Sequence, residues 1–494
     1  MGGKKIEWLE ISRRGENHPL LTVDSLIELF GLKLWGWAHK VKWNPSCYRQ
    51  FDDARWFSKE DMKKYQAVLE QGEQKQKGYL LKNAKEYALR ITAHRAFVKK
   101  YKGVNFTKKT NQQLGKIFQE WFGHTKQFFC FAYDYIYLNK YMPEQVMQAV
   151  ARKEPDVIKQ NECLGILFTA DSLSEMWHEK RALLSLAEII KNRLLQLNSD
   201  FVSKKIANHL NKYAHLGFYY FRGQAYTPKE IINRLKQYIK LSSAQFKKLH
   251  HDIINQRTNK QQTIRLISQL GLDPQTIYKI KILKRWASLS NYVDETYSYV
   301  VYNLWDFWTE ITQRLNLNSV QEMASFRGQE IYNYLSRKKV PKGLRVIARQ
   351  RLKDHALVLE NGRAGIYYGQ QMKKYRKFSL QKKKSFGNIK ELKGQVASPG
   401  LVKGIVRVVY TMHDLKKVER GNIMVTDATN PTYVPAMERS AAVITDEGGL
   451  LCHAAIVSRE LKIPCVVGTE IGTRVFKDGE KVMVDAKRGI IRKI

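Results

Sequence analysis

Cysteine is scarce in this 494-residue chain: Cys47, Cys130, Cys163, Cys452 and Cys465 are odd in number, scattered, and form no CxxC pair. That excludes a disulfide framework and a structural zinc site, and it suits a reducing compartment. No run approaches eighteen uninterrupted apolar residues, so no membrane-spanning helix is expected. The start, Met1-Gly-Gly-Lys-Lys-Ile-Glu7, lacks the apolar core of a secretion signal. A soluble, cytoplasmic protein with no membrane partner is the expectation. There is no GxxxxGK[ST] phosphate loop and no repeat at a solenoid period. His250-His251 is adjacent rather than at helical ligand spacing, and no other histidine falls in a metal signature, so no metal site is expected.

Acidic residues are also few, 46 against 85 Lys and Arg, for a net charge of +39. From Gly394 onward 15 basic residues face 11 acidic ones, so the excess, +35, lies in residues 1–393. Such a region invites an anionic partner: nucleic acid, nucleotide phosphates or an acidic protein surface. A merely solvated basic surface has the same signature. With 44% hydrophobic and 11% aromatic residues the chain is globular, long enough for two to four domains.

The expected fold class is multi-domain: a large, mostly α-helical N-terminal region followed by a C-terminal β/β/α domain. Residues 1–75 interleave Trp8, Trp35, Trp37, Trp43 and Trp56 with charge and are broken by Pro19 and Pro45, giving a mixed, turn-rich opening region. Residues 76–318 are poor in proline and glycine and carry 3.6-period patterns, as at Leu183–Leu197 and Ile264–Leu270, predicting a helical domain. Within it, Phe128–Leu138 reads as an apolar helix of the core. Residues 319–375 predict a helix from a Ser319–Glu322 capping box to about Leu335, then a basic helix. A hairpin about Asn361-Gly362 follows. Residues 376–393 read as a basic, flexible linker, and 394–494 as alternating short strands and helices.

The most informative segment is Thr445-Asp446-Glu447-Gly448-Gly449-Leu450-Leu451-Cys452-His453-Ala454-Ala455-Ile456-Val457-Ser458-Arg459-Glu460-Leu461. An apolar strand at Ala442–Ile444, a turn at Gly448-Gly449 and apolar residues at helical spacing from Ala454 predict strand, glycine turn, helix. His453 then falls in the first helical turn, where unpaired backbone N–H groups and the helix dipole favour an anion. A neutral imidazole is a competent nucleophile near neutral pH, so His453 is the candidate catalytic residue.

The segment resembles the mobile, phosphohistidine swivelling domain of phosphoenolpyruvate-utilising enzymes: phosphoenolpyruvate synthase, pyruvate phosphate dikinase, enzyme I of the sugar phosphotransferase system and rifampin phosphotransferase. The resemblance extends through Gly394–Val409 and Thr429-Asn430-Pro431-Thr432-Tyr433-Val434-Pro435-Ala436-Met437. It implies that His453 carries a phosphoryl group. Several members place threonine two residues before the histidine. Here Leu451 stands there, closer to the rifampin phosphotransferase pattern, so the imidazole lacks that local hydroxyl. Nothing in the chain resembles the ATP-grasp domain that charges the histidine in the synthase and rifampin enzymes.

The resemblance therefore implies a phosphotransferase component. It would be charged from ATP with Mg2+, or from phosphoenolpyruvate, on a separate ATP-grasp-type polypeptide, and would serve a small-molecule acceptor bound in the helical domain. Gly448, Gly449, Asp446, Glu447, Cys452 and Arg459 are candidates for supporting the loop or the phosphate, as are Thr429 and Asn430 on an adjacent loop. For each, turn formation, capping or packing is the plainer alternative. Two other functions stay open: a basic nucleic-acid or protein-binding scaffold, and a phosphocarrier to another protein.

Overall fold

Two compact units organise the computed structural model, and neither is continuous in sequence: Met1–Lys140 joins Asn303–Ile389, and Tyr141–Tyr302 joins Lys390–Ile494. The structure describes residues 8–13, 20–22, 38–40, 47–51, 54–132, 134–170, 172–254, 260–337, 340–360, 363–373 and 389–494. Residues 376–388 of the linker expected at 376–393, the Asn361-Gly362 turn, and Trp35, Trp37, Trp43, Pro19 and Pro45 lie outside these residues, while the end of that linker, Glu391–Lys393, is a strand of the sheet below.

In the first unit, five antiparallel strands run in the order Trp8–Arg13, Ala54–Ser58, Tyr48–Phe51, His355–Glu360, Arg363–Tyr368. Tyr48 pairs with Leu359 and Phe51 with Ala356, so the opening region and the late hairpin, expected as separate segments, complete one sheet. The helical span expected at 76–318 is divided as well, with residues 76–140 and 303–318 in this unit. A linear reading cannot see such returns, because they are fixed by long-range strand pairing.

Two expected helices are interrupted. The Ser319–Leu335 helix is Val320–Met323 followed by Gly328–Ser336. Ser319 Oγ accepts from Glu322 N at 3.1 Å, but the Glu322 carboxylate turns to Asn318 N, so the capping box is not reciprocal. The second piece restarts where Arg327 N donates to Glu330 Oε2. There a Cβ on Gly328 would lie 2.4 Å from the Phe122 ring. Phe128–Leu138 is core, as expected, but not one helix: Asn111–Phe128 gives way to the 3-10 turn Phe129–Phe131 and then to Asp134–Lys140. The fully buried Asp134 explains the break. Its Oδ1 accepts from Tyr65 Oη at 2.7 Å and lies 3.2 Å from His39 Nε2.

In the second unit, helices Glu175–Asn192, Asp200–Tyr213, Pro228–Ile239 and most of Pro274–Asn303 form a lobe. The expected β/β/α domain is built on one eight-stranded mixed sheet. Its order is Glu391–Lys393, Ile490–Lys493, Lys481–Asp485, Leu401–Val409, Ile423–Thr426, Ala442–Thr445, Cys465–Val467, Gln395–Ser398. Leu401–Val409 through Cys465–Val467 run parallel, and the rest are antiparallel. Ile423–Thr426, Ala442–Thr445 and Cys465–Val467 are buried along their whole length, as parallel strands covered on both faces must be. The first and last strands of this order were not foreseen. The lobe and the sheet domain share an apolar core in which Trp177, Leu184 and Leu235 join Val434, Met437 and Val457.

Candidate functional site

The parallel strands end at one edge, and the loops leaving that edge carry His453. In parallel sheets this carboxyl edge is where ligands bind, because the turns there are free to diverge. Beyond Thr445 the ladder continues through backbone bonds: Asp446 N donates to Thr426 O at 3.0 Å and Glu447 N to Asp427 O at 2.8 Å. Glu470 N reaches Asp446 O at 2.9 Å. Gly448 then turns at φ +108°, and a Cβ there would come within 2.7 Å of Cys452 Sγ. Only glycine fits this bend without strain. Gly449 O accepts from Cys452 N at 3.0 Å, closing the turn.

Cys452 is the N-cap and His453 the first residue of helix His453–Leu461. The imidazole is half-buried, and its Nδ1 lies 2.8 Å from Thr429 Oγ1 on the neighbouring loop. The hydroxyl expected to be missing, because Leu451 stands two residues before the histidine, is thus supplied from elsewhere. Leu451 itself is buried. Thr429 is held in place by the turn after it: Asn430 Oδ1 accepts from Thr432 N at 3.0 Å and from Thr432 Oγ1 at 2.6 Å, capping Pro431–Tyr433.

The other sequence candidates divide by what they touch. The buried Asp446 carboxylate accepts from Thr469 Oγ1 at 3.0 Å and from Thr473 N at 3.1 Å, and it also takes the Thr473 hydroxyl. It pins the ends of two strands to the short helix Gly472–Val475 and forms the floor of the site. Glu447 offers its backbone to the same framework, its carbonyl accepting from Thr445 Oγ1 at 2.7 Å. Arg459 is buried one and a half turns beyond His453. Its guanidinium donates to Ala397 O at 3.2 Å and to Leu450 O, tying the glycine turn down, and burial lowers its pKa to about 10. A guanidinium so engaged braces the loop through bonds to carbonyls.

Sequence reasoning missed the residues that join this domain to the lobe. Glu460, on the histidine helix, accepts from Ser174 N at 3.1 Å and from Ser174 Oγ at 2.6 Å, and Ser174 caps helix Glu175–Asn192. Burial pushes its carboxyl up to about 7. Nearby, the fully buried Glu295 takes Glu175 N at 3.0 Å. Burial, then the Glu175 carboxylate, hold it well above the usual carboxylate range. Glu438 lies 3.3 Å from Lys180 Nζ and 3.8 Å from Arg234, which grips Glu179 through two bonds of 2.8 and 2.7 Å. Burial opposes the charge on Glu179, yet Arg234 and His209 hold its pKa down to about 2. The only sequence signal was a carboxylate placed among apolar residues.

Residues 418–489 match the family model described as "PEP-utilising enzyme, mobile domain". This segment is similar to the mobile domain of the phosphoenolpyruvate-utilising enzymes. Over 100 residues the chain is 56% identical to a "Probable phosphoenolpyruvate synthase" of Archaeoglobus fulgidus, covering 20% of this chain and 13% of that relative. It is 53% identical over 100 residues to the protein of the same name from Methanothermobacter thermautotrophicus, covering 20% and 15%. It is 55% identical over 102 residues to "Phosphoenolpyruvate synthase" of Pyrococcus furiosus, covering 21% and 12%. The similarity thus spans about a fifth of this chain and an eighth of the relatives. Among the described residues no helix is long and apolar enough to cross a membrane. Nor is there a group of three or more His, Cys, Asp or Glu suited to a metal ion.

Proposed function

We propose that the chain is a phosphotransferase component that carries a phosphoryl group on His453. The observation that bears most of the weight is the 2.8 Å contact between Thr429 Oγ1 and His453 Nδ1 at the start of a helix. In this proposal the Thr429 hydroxyl accepts from Nδ1–H, which leaves the lone pair on Nε2, the form able to attack phosphorus. In the step proposed, Nε2 forms a bond to the donor's phosphorus while the donor's P–O bond breaks and its electron pair leaves with that oxygen. Transfer to an acceptor oxygen reverses the sequence. Backbone N–H groups at the helix start favour the phosphate while it is carried.

The donor is ATP with Mg2+ on a separate ATP-grasp-type polypeptide, or phosphoenolpyruvate, and the acceptor is a small molecule. The synthase names of the relatives support phosphoenolpyruvate chemistry as the nearest precedent. The test is to incubate the purified chain with 32P-labelled phosphoenolpyruvate, or with ATP labelled at the β or γ position plus a clarified extract of the producing cells. Acid-labile, alkali-stable label that disappears in His453→Ala is expected. Equal labelling of that variant would remove the assignment.

A further inference from the structure

The proposed chemistry leaves the basic charge of the first unit unused. Two stretches there contain no acidic residue at all: 87–119 and 331–353, each with eight Lys or Arg. They lie far apart in sequence, and the fold brings them to one end of the unit. Arg314, closing helix Trp305–Arg314, donates to Thr107 O and Lys109 O at 3.2 Å each and to Asn111 Oδ1 at 3.2 Å. Two residues on, Asn316 accepts from Arg345 through its carbonyl at 2.6 Å and its side chain at 2.5 Å. Arg345 opens the basic helix Leu344–Lys353, whose exposed face carries Arg345, Arg349 and Lys353. On the other side the rings of Tyr101 and Phe106, and of Phe106 and Phe307, pack at 6.5 and 5.2 Å, holding the Lys99–Lys102 segment against helix Trp305–Arg314.

These contacts gather the two basic stretches around helix Trp305–Arg314. Lys99, Lys102, Lys108, Lys342, Arg349 and Lys353 are exposed and make no ion pair among the described residues. Of the acids nearby, Glu120 is engaged by Lys100 at 2.5 Å and Tyr101 Oη at 2.6 Å and Glu310 by Arg314 at 2.6 Å, while Asp354, next to Lys353, is half-buried. Asp306 is exposed, at the opposite end of its helix from Arg314.

We infer that these gathered cations form a band that binds the phosphate backbone of a nucleic acid. An interface for an acidic protein would be expected to mix charge with an apolar centre and opposing carboxylates, whereas a polyanion with evenly spaced phosphates requires a band of one sign. Contacts of this kind read backbone charge rather than sequence, so recognition is general and steeply salt-dependent. The inference is independent of phosphoryl transfer at His453, which lies in the other unit.

The test is fluorescence anisotropy of the full chain with a labelled 20-nucleotide single-stranded RNA and a 20-base-pair DNA duplex, from 50 to 300 mM salt, with poly-L-glutamate as competitor. The variant K108E/K109E/K342E/R349E is compared with K204E/K205E/K229E/K236E, which reverses four exposed cations of the second unit and so changes net charge equally. Binding by wild type and control is expected. In the band variant the slope of log affinity against log salt should fall by about 3 to 4, with at least ~30-fold weaker binding at 100 mM. The two probes distinguish RNA from duplex DNA as the preferred ligand. No binding by wild type at 100 mM salt, equal loss in both variants, or displacement by poly-glutamate at equal charge would overturn the inference. Milder K99A/K102A replacements, expected to weaken binding several-fold, decide the matter if the reversed variant fails to fold. Unchanged binding there would count against it.

Discussion

The floor of the histidine site and the face by which its domain meets the helical lobe are both built from buried charge, but they satisfy it differently. At the floor, Asp446 and Arg459 are answered from within the sheet domain, by threonines, a backbone N–H and two carbonyls. At the lobe, Glu438 and Glu460 are answered by side chains of another sequence segment, Lys180, Arg234 and Ser174. The first arrangement braces the strand ends and the glycine turn from within the sheet domain. The second can be altered by a proton or a single substitution. On the carrier reading proposed above, that separation would keep the reactive geometry while contacts change.

The sharpest way to break the comparison is His453→Ala. It should abolish labelling while leaving the melting temperature nearly unchanged, since the ring is half-buried and the floor does not depend on it. Arg234→Ala acts at the lobe, leaving Glu179 buried without its bidentate partner. A loss of ~3–5 kcal/mol in denaturant unfolding is expected. Gly448→Ala tests the floor: its Cβ would meet Cys452 at φ +108°, costing ~1–3 kcal/mol and lowering Tm by several degrees, with labelling reduced in proportion.

Smaller effects sharpen the picture. Thr429→Val should preserve the fold and slow phosphorylation by ~tenfold, and Thr429→Ser should restore it. Equal loss in both would make the hydroxyl irrelevant. Glu460→Gln tests the proton. Because burial raises the Glu460 carboxyl to about 7, the docked form binds that proton more tightly than an exposed carboxyl would. Docking is therefore fully supported below the ordinary carboxylate range and weakens as pH rises towards and through 7. Glu295, raised in the same direction, adds to the trend. Amide exchange in the first turn of helix Glu175–Asn192, corrected for intrinsic rates, should show this between pH 5.5 and 8. The Gln variant should flatten it.

Legibility in the sequence followed the range of the forces. The strand–glycine–helix unit around His453 was readable because a continuous apolar run, a required glycine and a helix start are local signals. The helical regions were readable as helices but not as units, since the Tyr48–Leu359 pairing and the shared core of Trp177 with Val434 depend on partners hundreds of residues away. Within the site, His453 and Thr429 were both named, yet their contact was not, because Leu451 drew attention to the position that family members use. Asp446 and Arg459 were named for proximity to the histidine, and the fold uses them to brace the loop.

The most direct measurement is the position of the phosphorus on the labelled chain. Alkaline digestion and phosphopeptide mapping with 31P NMR should find a single phosphohistidine, at residue 453, with phosphorus on Nε2 because Nδ1 faces Thr429. Phosphorus on Nδ1, on another residue, or nowhere under any donor tried would contradict the account.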